Sequence, residues 1–306
     1  MPKYSVIMPC HNAMDTLDAA ISSIVAQTRW DWELICIDDG SQDGTLQRLQ
    51  SWATTDRRIR VIHQENSGPS VARNKGAAAA QGSILCFCDA DDLWVETKLS
   101  VLDQVFAAYE IDGTYAQIAF FKTFGKAQTL STVGPAPLSI PELLGENPVC
   151  TMSNVAVRRT VFETHGGFSE DLVHNEDLEW LIRLVGNGCA IHPIDRLLVW
   201  YRTSAGGLSA DLQRMAHSRD IALKTALHFG FEPSAAQEAI YLRYLARRAL
   251  RLKHGRKIAR GLTLQGLKTS PRGFLFPLRR GAATAIAALV APLLPAPIQR
   301  KISFGK

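Results

Sequence analysis

Between Tyr4 and Asp89 the chain alternates short apolar runs with amphipathic stretches. The runs "YSVIMP" (4–9), "ELICID" (33–38), "IRVIH" (59–63) and "ILCFCD" (84–89) are rich in strand formers, and the stretches 15–27, 45–55 and 70–80 carry apolar residues at helical spacing. Strand and helix repeated in this order make successive strands parallel, because each helix must cross a face of the sheet before the next strand begins. The expected fold is therefore α/β, a Rossmann-like, mostly parallel sheet with helices on both faces. Ligands of such sheets bind beyond the carboxyl ends of the strands. That is where polar residues collect here: "PCHN" (9–12), "DDGSQDGT" (38–45), "QENSGPSVARN" (64–74) and "DADD" (89–92). These turns should share one rim and form one site.

At 306 residues, 46% of them hydrophobic, the chain can bury a core without staples. Its six cysteines (Cys10, Cys36, Cys86, Cys88, Cys150 and Cys189) form no CxxC pair, and most sit in strand-like runs, where a thiol is a small hydrophobe. They read as reduced core thiols and not as a disulfide or zinc framework. "MPKYSVIMPC" enters a strand at once and lacks the length of a secretion signal, so a cytoplasmic setting is expected. Net charge is +5, but Tyr241 to Arg280 is crowded with Arg and Lys and contains no Asp or Glu, a sign of an anion-facing surface.

Further along, residues 113–148 are less regular, with one apolar run at 117–125, and are expected to be an acceptor-side subdomain or long insertion. "TMSNVAVRRTVFETHGGF" (151–168) reads as strand, short helix and glycine turn. "HNEDLEWLIRLVGNG" (174–188) reads as a helix capped by Asn175 and ended by Gly188. Residues 211–306 form a helical, basic C-terminal extension. The expected division is 1–210, with a donor half at 1–112 and an acceptor half at 113–210, followed by 211–306.

The chemistry lies in the turns. Asp89 and Asp91 are two apart at a strand end and should point to one side, a pair of hard oxygen ligands suited to Mg²⁺ or Mn²⁺. The plain alternative is that the acids of "DADD" cap a helix starting near Val95, and Asp92 is the one expected to do only that. "IDDGSQDGT" resembles a phosphatase motif, but Ser41 stands where the nucleophilic Asp would be. What remains is an acidic turn in which Asp39 can hydrogen-bond a base or ribose. Arg73, one helical turn after Gly68-Pro69, suits a diphosphate or the orientation of an Asp. Glu176 and Asp177 could serve the helix dipole, and Asp177 could equally be a general base.

In order, "SVIMPCHN", "IDDGSQDGT", "SGPSVARNKG", "DADD", "MSNVAVRR", "GGF", "NEDLEWLIR" and "YRTSAGGLS" resemble the GT-A-fold glycosyltransferases of family 2, over roughly residues 1–210. The resemblance implies an inverting transferase that moves a sugar from a nucleotide-diphosphate-sugar donor to a hydroxyl acceptor, with a divalent cation (Mn²⁺ or Mg²⁺). It implies donor contacts at Pro9, His11, Asn12, Asp39, Arg73, Asp89 and Arg202, metal ligands Asp91 and Asp89, Asp177 as catalytic base and Glu176 on the acceptor side. The chain departs from the pattern after Arg202: many relatives carry a His two or three residues on, and Thr203 to Gly206 contain none. Arg202 or backbone would then have to substitute.

The tail interleaves Arg and Lys with Leu and Ala, and the uncharged run 281–298 is bracketed by Arg279, Arg280, Arg300 and Lys301. With three prolines, the run is expected to lie at an anionic membrane surface in preference to spanning it, which suits a glycan or lipid-linked acceptor and a peripheral place on the inner face of the membrane. A dimer-forming tail is the alternative. Nucleic acid is not an expected partner, because the tail lacks aromatic interleaving. Two other functions compete. A nucleotidyltransferase making sugar nucleotides should show a basic, Gly-rich loop after the first strand, where this chain has "PCHNAMD". A non-catalytic sugar-nucleotide-binding module would not need Asp91 and Asp177 together.

Overall fold

A computed structural model describes residues 1–203, 211–252 and 255–290. The chain divides into two compact units. The first is Met1–Leu138 with Pro148–Thr203, and the second is Ser139–Asn147 with the described residues of Ser204–Lys306.

The first unit is built on a sheet that holds nine strands among the described residues. Its opening third alternates as the sequence pattern requires: β1 (Tyr4–Cys10), α1 (Met14–Val25), β2 (Trp32–Asp39), α2 (Thr45–Thr55), β3 (Ile59–Gln64), α3 (Pro69–Ala78) and β4 (Ile84–Phe87). Then come β5 (Leu93–Trp94), α4 (Lys98–Ala108), β6 (Gly113–Phe121) and β7 (Ala127–Leu130). The unit closes with β8 (Ala156–Arg158), α6 (Arg159–His165), α7 (Glu176–Gly186) and β9 (Ile191–Arg202), while α5 (Ile140–Leu143) belongs to the other unit.

Strand order is β3-β2-β1-β4-β8-β6-β9-β5, with β7 hydrogen-bonded to β6. The ladders β1–β2, β2–β3, β1–β4 and β6–β9 are parallel and long. The antiparallel ladders, β4–β8, β5–β9, β6–β7 and β6–β8, pair only two or three residues each. The order turns outward from β1 and β4 in opposite directions, so a crevice must open at their carboxyl ends.

Period-two alternation decides what each face buries. Val6, Met8 and Cys10 of β1 pack with Leu17, Ile21 and Ile24 of α1 and with Leu99, Leu102 and Phe106 of α4. On the opposite face lies Ile7, against α3. There Gly76 permits a close approach, since a Cβ on it would sit 2.5 Å from Ile7 Cγ2. Phe87 of β4 meets Phe168 and Trp180 edge-on, with ring centroids 5.3 and 5.8 Å away. All of these side chains except the exposed ends of the helices are buried, which explains the unbroken apolar runs.

Two local expectations change. Residues 113–121 are not an insertion: β6 lies inside the sheet between β8 and β9. The helix after "DADD" begins at Lys98 with Thr97 at its N-cap position. The acids at 89–92 are therefore too early to cap it. Asn175 does stand at the N-cap of α7, but in a left-handed conformation and with no side-chain capping bond.

The second unit is helical: α8 (Leu212–His228), α9 (Ala235–Ala249), α10 (Arg256–Thr269), α11 (Pro271–Leu275) and α12 (Leu278–Val290), with α5 among them. Ser234 and Gln237 form a capping box at the start of α9. Ala249, Ala259, Ala287 and Ala288 make a small-residue core between α9, α10 and α12. Among the described residues no helix is long and apolar enough to cross a membrane. Pro292, Pro295, Pro297, Arg300 and Lys301, invoked for the surface reading of the tail, lie outside the described residues, as do residues 204–206.

Candidate active site

The carboxyl ends of β1, β2 and β3 are laced together by short polar side chains. Pro9 ends the apolar part of β1, opposite Ile37 of β2. Asn12 takes a left-handed φ of 49°, which Asn tolerates better than most residues. Its Oδ1 accepts from the Gln42 N–H at 2.8 Å and its own N–H donates to Ser41 Oγ at 3.0 Å, pinning the first turn to the second. His11 Nδ1 lies 2.8 Å from the Asp39 carbonyl oxygen, an acceptor only, so Nδ1 carries the hydrogen. The imidazole is exposed.

Asp39 is buried and its carboxylate is occupied from within: Gln64 Nε2 and Ser67 N–H donate to Oδ1, each at 2.8 Å, and Gly68 N–H donates to Oδ2 at 2.9 Å. It thereby sets the loop from which α3 starts. Gly40 beside it holds φ of +69°, and a Cβ there would come within 2.7 Å of the Asn66 nitrogen, so the turn admits little else. Asp38 is fully buried with Oδ2 2.8 Å from His63 Nδ1, while its Oδ1 finds no hydrogen-bond partner among the described residues.

At the end of β4 the acids are fixed by partners from three directions. Arg73, only 5% exposed, donates from Nη2 to Asp89 Oδ1 and from Nη1 to Glu176 Oε1, both at 2.8 Å. Burial works against the guanidinium charge, but Asp89 and Glu176 outweigh it and hold the group protonated above its ordinary range. The Asp89 N–H donates to Ser153 Oγ at 2.9 Å. Thr151 Oγ1 lies 3.3 Å from Asp89 Oδ2 and 3.2 Å from Asp92 Oδ2.

Asp92 is buried completely and accepts from the Arg202 N–H at 2.9 Å. Burial, with the charges of Asp91 and Asp89 added, pushes its carboxyl well above the usual range. Arg202 also donates from Nε to the Asp91 carbonyl at 2.8 Å, and its guanidinium stands 4.7 Å from the Phe121 ring centre. Main chain and side chain of Arg202 therefore hold the acidic turn itself.

Asp91 differs from its neighbours. Burial and the charge of Asp89 push it up to about 6, partly offset by Arg202. No group of three or more His, Cys, Asp or Glu able to hold a metal occurs among the described residues. One or two carboxylates at a strand end, short of positive charge, nonetheless fit a hard divalent ion, which takes few protein ligands and fills its shell with phosphate and water. Asp91 with Asp89 is such a set.

On α7, burial pushes Glu176 up to about 7, with Arg73 pulling it down and Asp177 pushing it further up. Asp177 is raised by burial, an effect its backbone hydrogen bond and Arg73 only partly oppose. Both acids lie in the first turn of the helix.

The chain's pattern pointed to Arg73, Asp89, Asp91, Glu176 and Asp177, and these form or adjoin one network. Pro9, His11, Asn12 and Asp39 gather at the other side of β1. Sequence reasoning missed Lys98, Thr151 and Ser153. Lys98, 1% exposed, donates from Nζ to the Ser153 carbonyl at 2.8 Å and stands 4.3 Å from the Trp94 ring centre. Burial lowers its pKa to about 8. A lysine in "WVETKL" carries no sign of burial. Thr151 precedes and Ser153 lies within the quoted "MSNVAVRR", where their hydroxyls were readable but unassigned.

A mostly parallel sheet with this crevice and acids at its strand ends is the architecture of GT-A glycosyltransferases. S. aureus TarS in complex with UDP matches it with a TM-score of 0.61 at 18% identity, covering 94% of this chain and 89% of that one. The mannosyltransferase PcManGT from Pyrobaculum calidifontis, in complex with GDP-Man and Mn²⁺, gives 0.56 at 18% identity over 95% and 87%. At such identities the likeness concerns the fold alone. In sequence, residues 5–166 match the model of glycosyl transferase family 2, a little over half of the 306 residues. The Escherichia coli UDP-Glc:alpha-D-GlcNAc-diphosphoundecaprenol beta-1,3-glucosyltransferase WfgD is 31% identical over 212 residues, 68% of this chain and 79% of its own. The Bacillus subtilis protein TuaG, named as a teichuronic acid biosynthesis glycosyltransferase, is 44% identical over 99 residues, 32% of this chain and only 39% of its own. The chain belongs to glycosyl transferase family 2.

Proposed function

We propose that this enzyme transfers a sugar, with inversion, from a nucleotide-diphosphate sugar to a hydroxyl of a glycan or lipid-linked acceptor in cell-surface glycan synthesis. The observation that carries this reading is the Glu176–Arg73–Asp89 chain, with both links at 2.8 Å. It joins the acid pair at the start of α7 to the acids at the end of β4, the two kinds of group that a displacement at an anomeric carbon needs side by side. The acceptors and donors of relatives support the rest: WfgD is named for a diphosphoundecaprenol-linked acceptor, and PcManGT was solved with a nucleotide-diphosphate sugar.

Asp177 takes the proton of the acceptor hydroxyl, whose oxygen forms the new bond to the anomeric carbon. The bond from that carbon to the diphosphate oxygen breaks, and its electron pair leaves with the diphosphate. A carboxylate whose pKa burial has raised is a stronger proton acceptor than a surface aspartate. Glu176 lines the acceptor side and keeps Arg73 aimed at Asp89. Pro9, His11, Asn12 and Asp39 form the base-binding side of the donor site, within residues 1–112, and Arg202 completes its far edge. Asp91 and Asp89 would hold Mg²⁺ or Mn²⁺, which when bound offsets the charge of the leaving diphosphate. Residues 113–210 serve the acceptor, and the basic extension 211–306 brings the enzyme to the cytoplasmic face of the membrane as a peripheral protein.

Hydrolysis and transfer assays with UDP-, GDP- and dTDP-sugars plus Mn²⁺ test this. Asp91→Ala and Asp177→Asn should each abolish sugar transfer in a folded protein. Near-normal turnover in either variant would remove that residue from its role.

A further inference from the structure

The helical unit contains a cluster that the transfer reaction does not use. Three guanidinium groups converge on one carboxylate: Arg247 Nη1 lies 3.2 Å from Glu146 Oε1, and Arg280 Nη1 and Arg243 Nη2 lie 3.3 and 3.6 Å from Oε2. These are long for charge-assisted bonds, which close to about 2.7–2.9 Å when one acid serves one base. One carboxylate is spread over three cations, so these four groups together carry more positive than negative charge.

Its surroundings sharpen the surplus. Arg280 stands in the first turn of α12, the positive end of the helix dipole, and no acidic residue lies in that turn. Arg243 is 3% exposed, donates to the carbonyls of Gly273, Phe274 and Phe276, and keeps a buried Nε with no partner among the described residues. Burial and the charges of Arg280 and Arg247 depress its proton affinity, with Glu146 opposing. Arg247 and Arg280 are 28% and 39% exposed, so the cluster is reachable from solvent. Phe276 and Leu278, 67% and 65% exposed, precede Arg280 in the chain and present hydrocarbon beside the charge.

We propose that Arg243, Arg247 and Arg280 form an anion site for a phosphate group, held at rest by Glu146, and that the phosphate is carried by a lipid whose apolar part meets Phe276 and Leu278. Planar guanidinium forks match phosphate oxygens, and a phosphate offers them more acceptors than one shared carboxylate. The lipid source rests on the membrane-surface reading above, whereas the anion site does not.

The test uses the full chain in EDTA, with pyrophosphate as the soluble probe and phosphatidylglycerol vesicles as the lipid probe. Pyrophosphate should raise the melting temperature of the wild type, raise it further in Glu146→Gln, and lose at least tenfold in affinity in the Arg247→Gln/Arg280→Gln double variant. Vesicle co-sedimentation should fall by a similar factor in the double variant and less than twofold in Arg260→Gln, which removes an exposed charge outside the cluster. Equal pyrophosphate protection in wild type and double variant, or no gain in Glu146→Gln, would overturn the anion site. Equal vesicle losses in the double variant and Arg260→Gln would overturn the lipid source, leaving general charge as the cause. Donor hydrolysis should be unchanged in the double variant, so failure here is distinguishable from failure of the transfer reading.

Discussion

The two compact units solve one electrostatic problem with opposite signs. In the sheet unit a single buried cation, Arg73, is shared by two acids, Asp89 and Glu176, with Asp91, Asp92 and Asp177 close by in the chain. In the helical unit a single acid, Glu146, is shared by three arginines. A fold built for stability alone would match charges one to one, because an uncompensated buried charge costs several kcal/mol. Both units leave an excess of one sign, and the sign of each excess fits a visitor of the other: a divalent cation at the acids, a phosphate at the arginines. Unequal sharing, one cation between two acids or one acid among three cations, is therefore a better pointer to a binding site here than a one-to-one ion pair.

Several experiments would break or sharpen that contrast. The largest effect is expected for Asp177→Asn, which should lower the transfer rate by about 10²–10⁴-fold, the usual contribution of a general base, while leaving the circular dichroism spectrum intact. Next is Arg73→Gln, which strands two half-buried acids, Asp89 and Glu176. It should cost about 3–5 kcal/mol in urea unfolding and lower transfer by a smaller factor than Asp177→Asn. Glu146→Gln is its counterpart in the helical unit, and because Glu146 is partly exposed the loss should be smaller, about 1 kcal/mol, and recovered by added pyrophosphate. An equal loss in the two variants would mean that both clusters are merely structural.

Acid pH supplies the smallest effect. Arg29 holds Asp31, and Lys3 holds Asp103, below the ordinary carboxylate range, and Arg58 does the same for Asp56, with burial opposing in each case. Groups depressed in the folded state bind fewer protons there than in the unfolded chain, so their stabilisation is complete above the unfolded pKa of about 3.9 and is lost as pH falls through the lower folded values. Melting temperature should therefore drop below about pH 4, and Asp103→Asn should make that drop shallower. A slope unchanged in the variant would show that these pairs contribute nothing measurable.

How much of this was legible in the sequence depended on the range of the interaction. The strands and helices up to Phe87 follow from local periodicity, and their boundaries agree with it to within a few residues. The acids of "DADD" and "NED" were visible because charge at the end of an apolar run is a local anomaly. Lys98 was not, because its burial depends on Ser153 and Trp94 meeting it in three dimensions. Residues 113–148 read as less regular, with a single apolar run at 117–125, because β6 pairs with β8 and β9, both later in the chain. Asp92 was misread as a cap for a related reason: its donors are Thr151 and the Arg202 backbone, about 60 and 110 positions away. Glu146 drew no notice because the arginines that single it out lie beyond residue 240.

Gly76 has no functional group, yet it sets the seat of the helix on which the proposed catalytic network depends. It lets α3 rest against Ile7 with no side chain between them, and Arg73 rides on that helix three residues earlier. A methyl group at position 76 would act as a shim, lifting the helix by a fraction of an ångström and with it the fork that links Asp89 to Glu176. The alignment of the active site is thus machined into a seat on the far side of the helix turn, and a screen for loss of activity should recover that glycine as readily as the acids themselves.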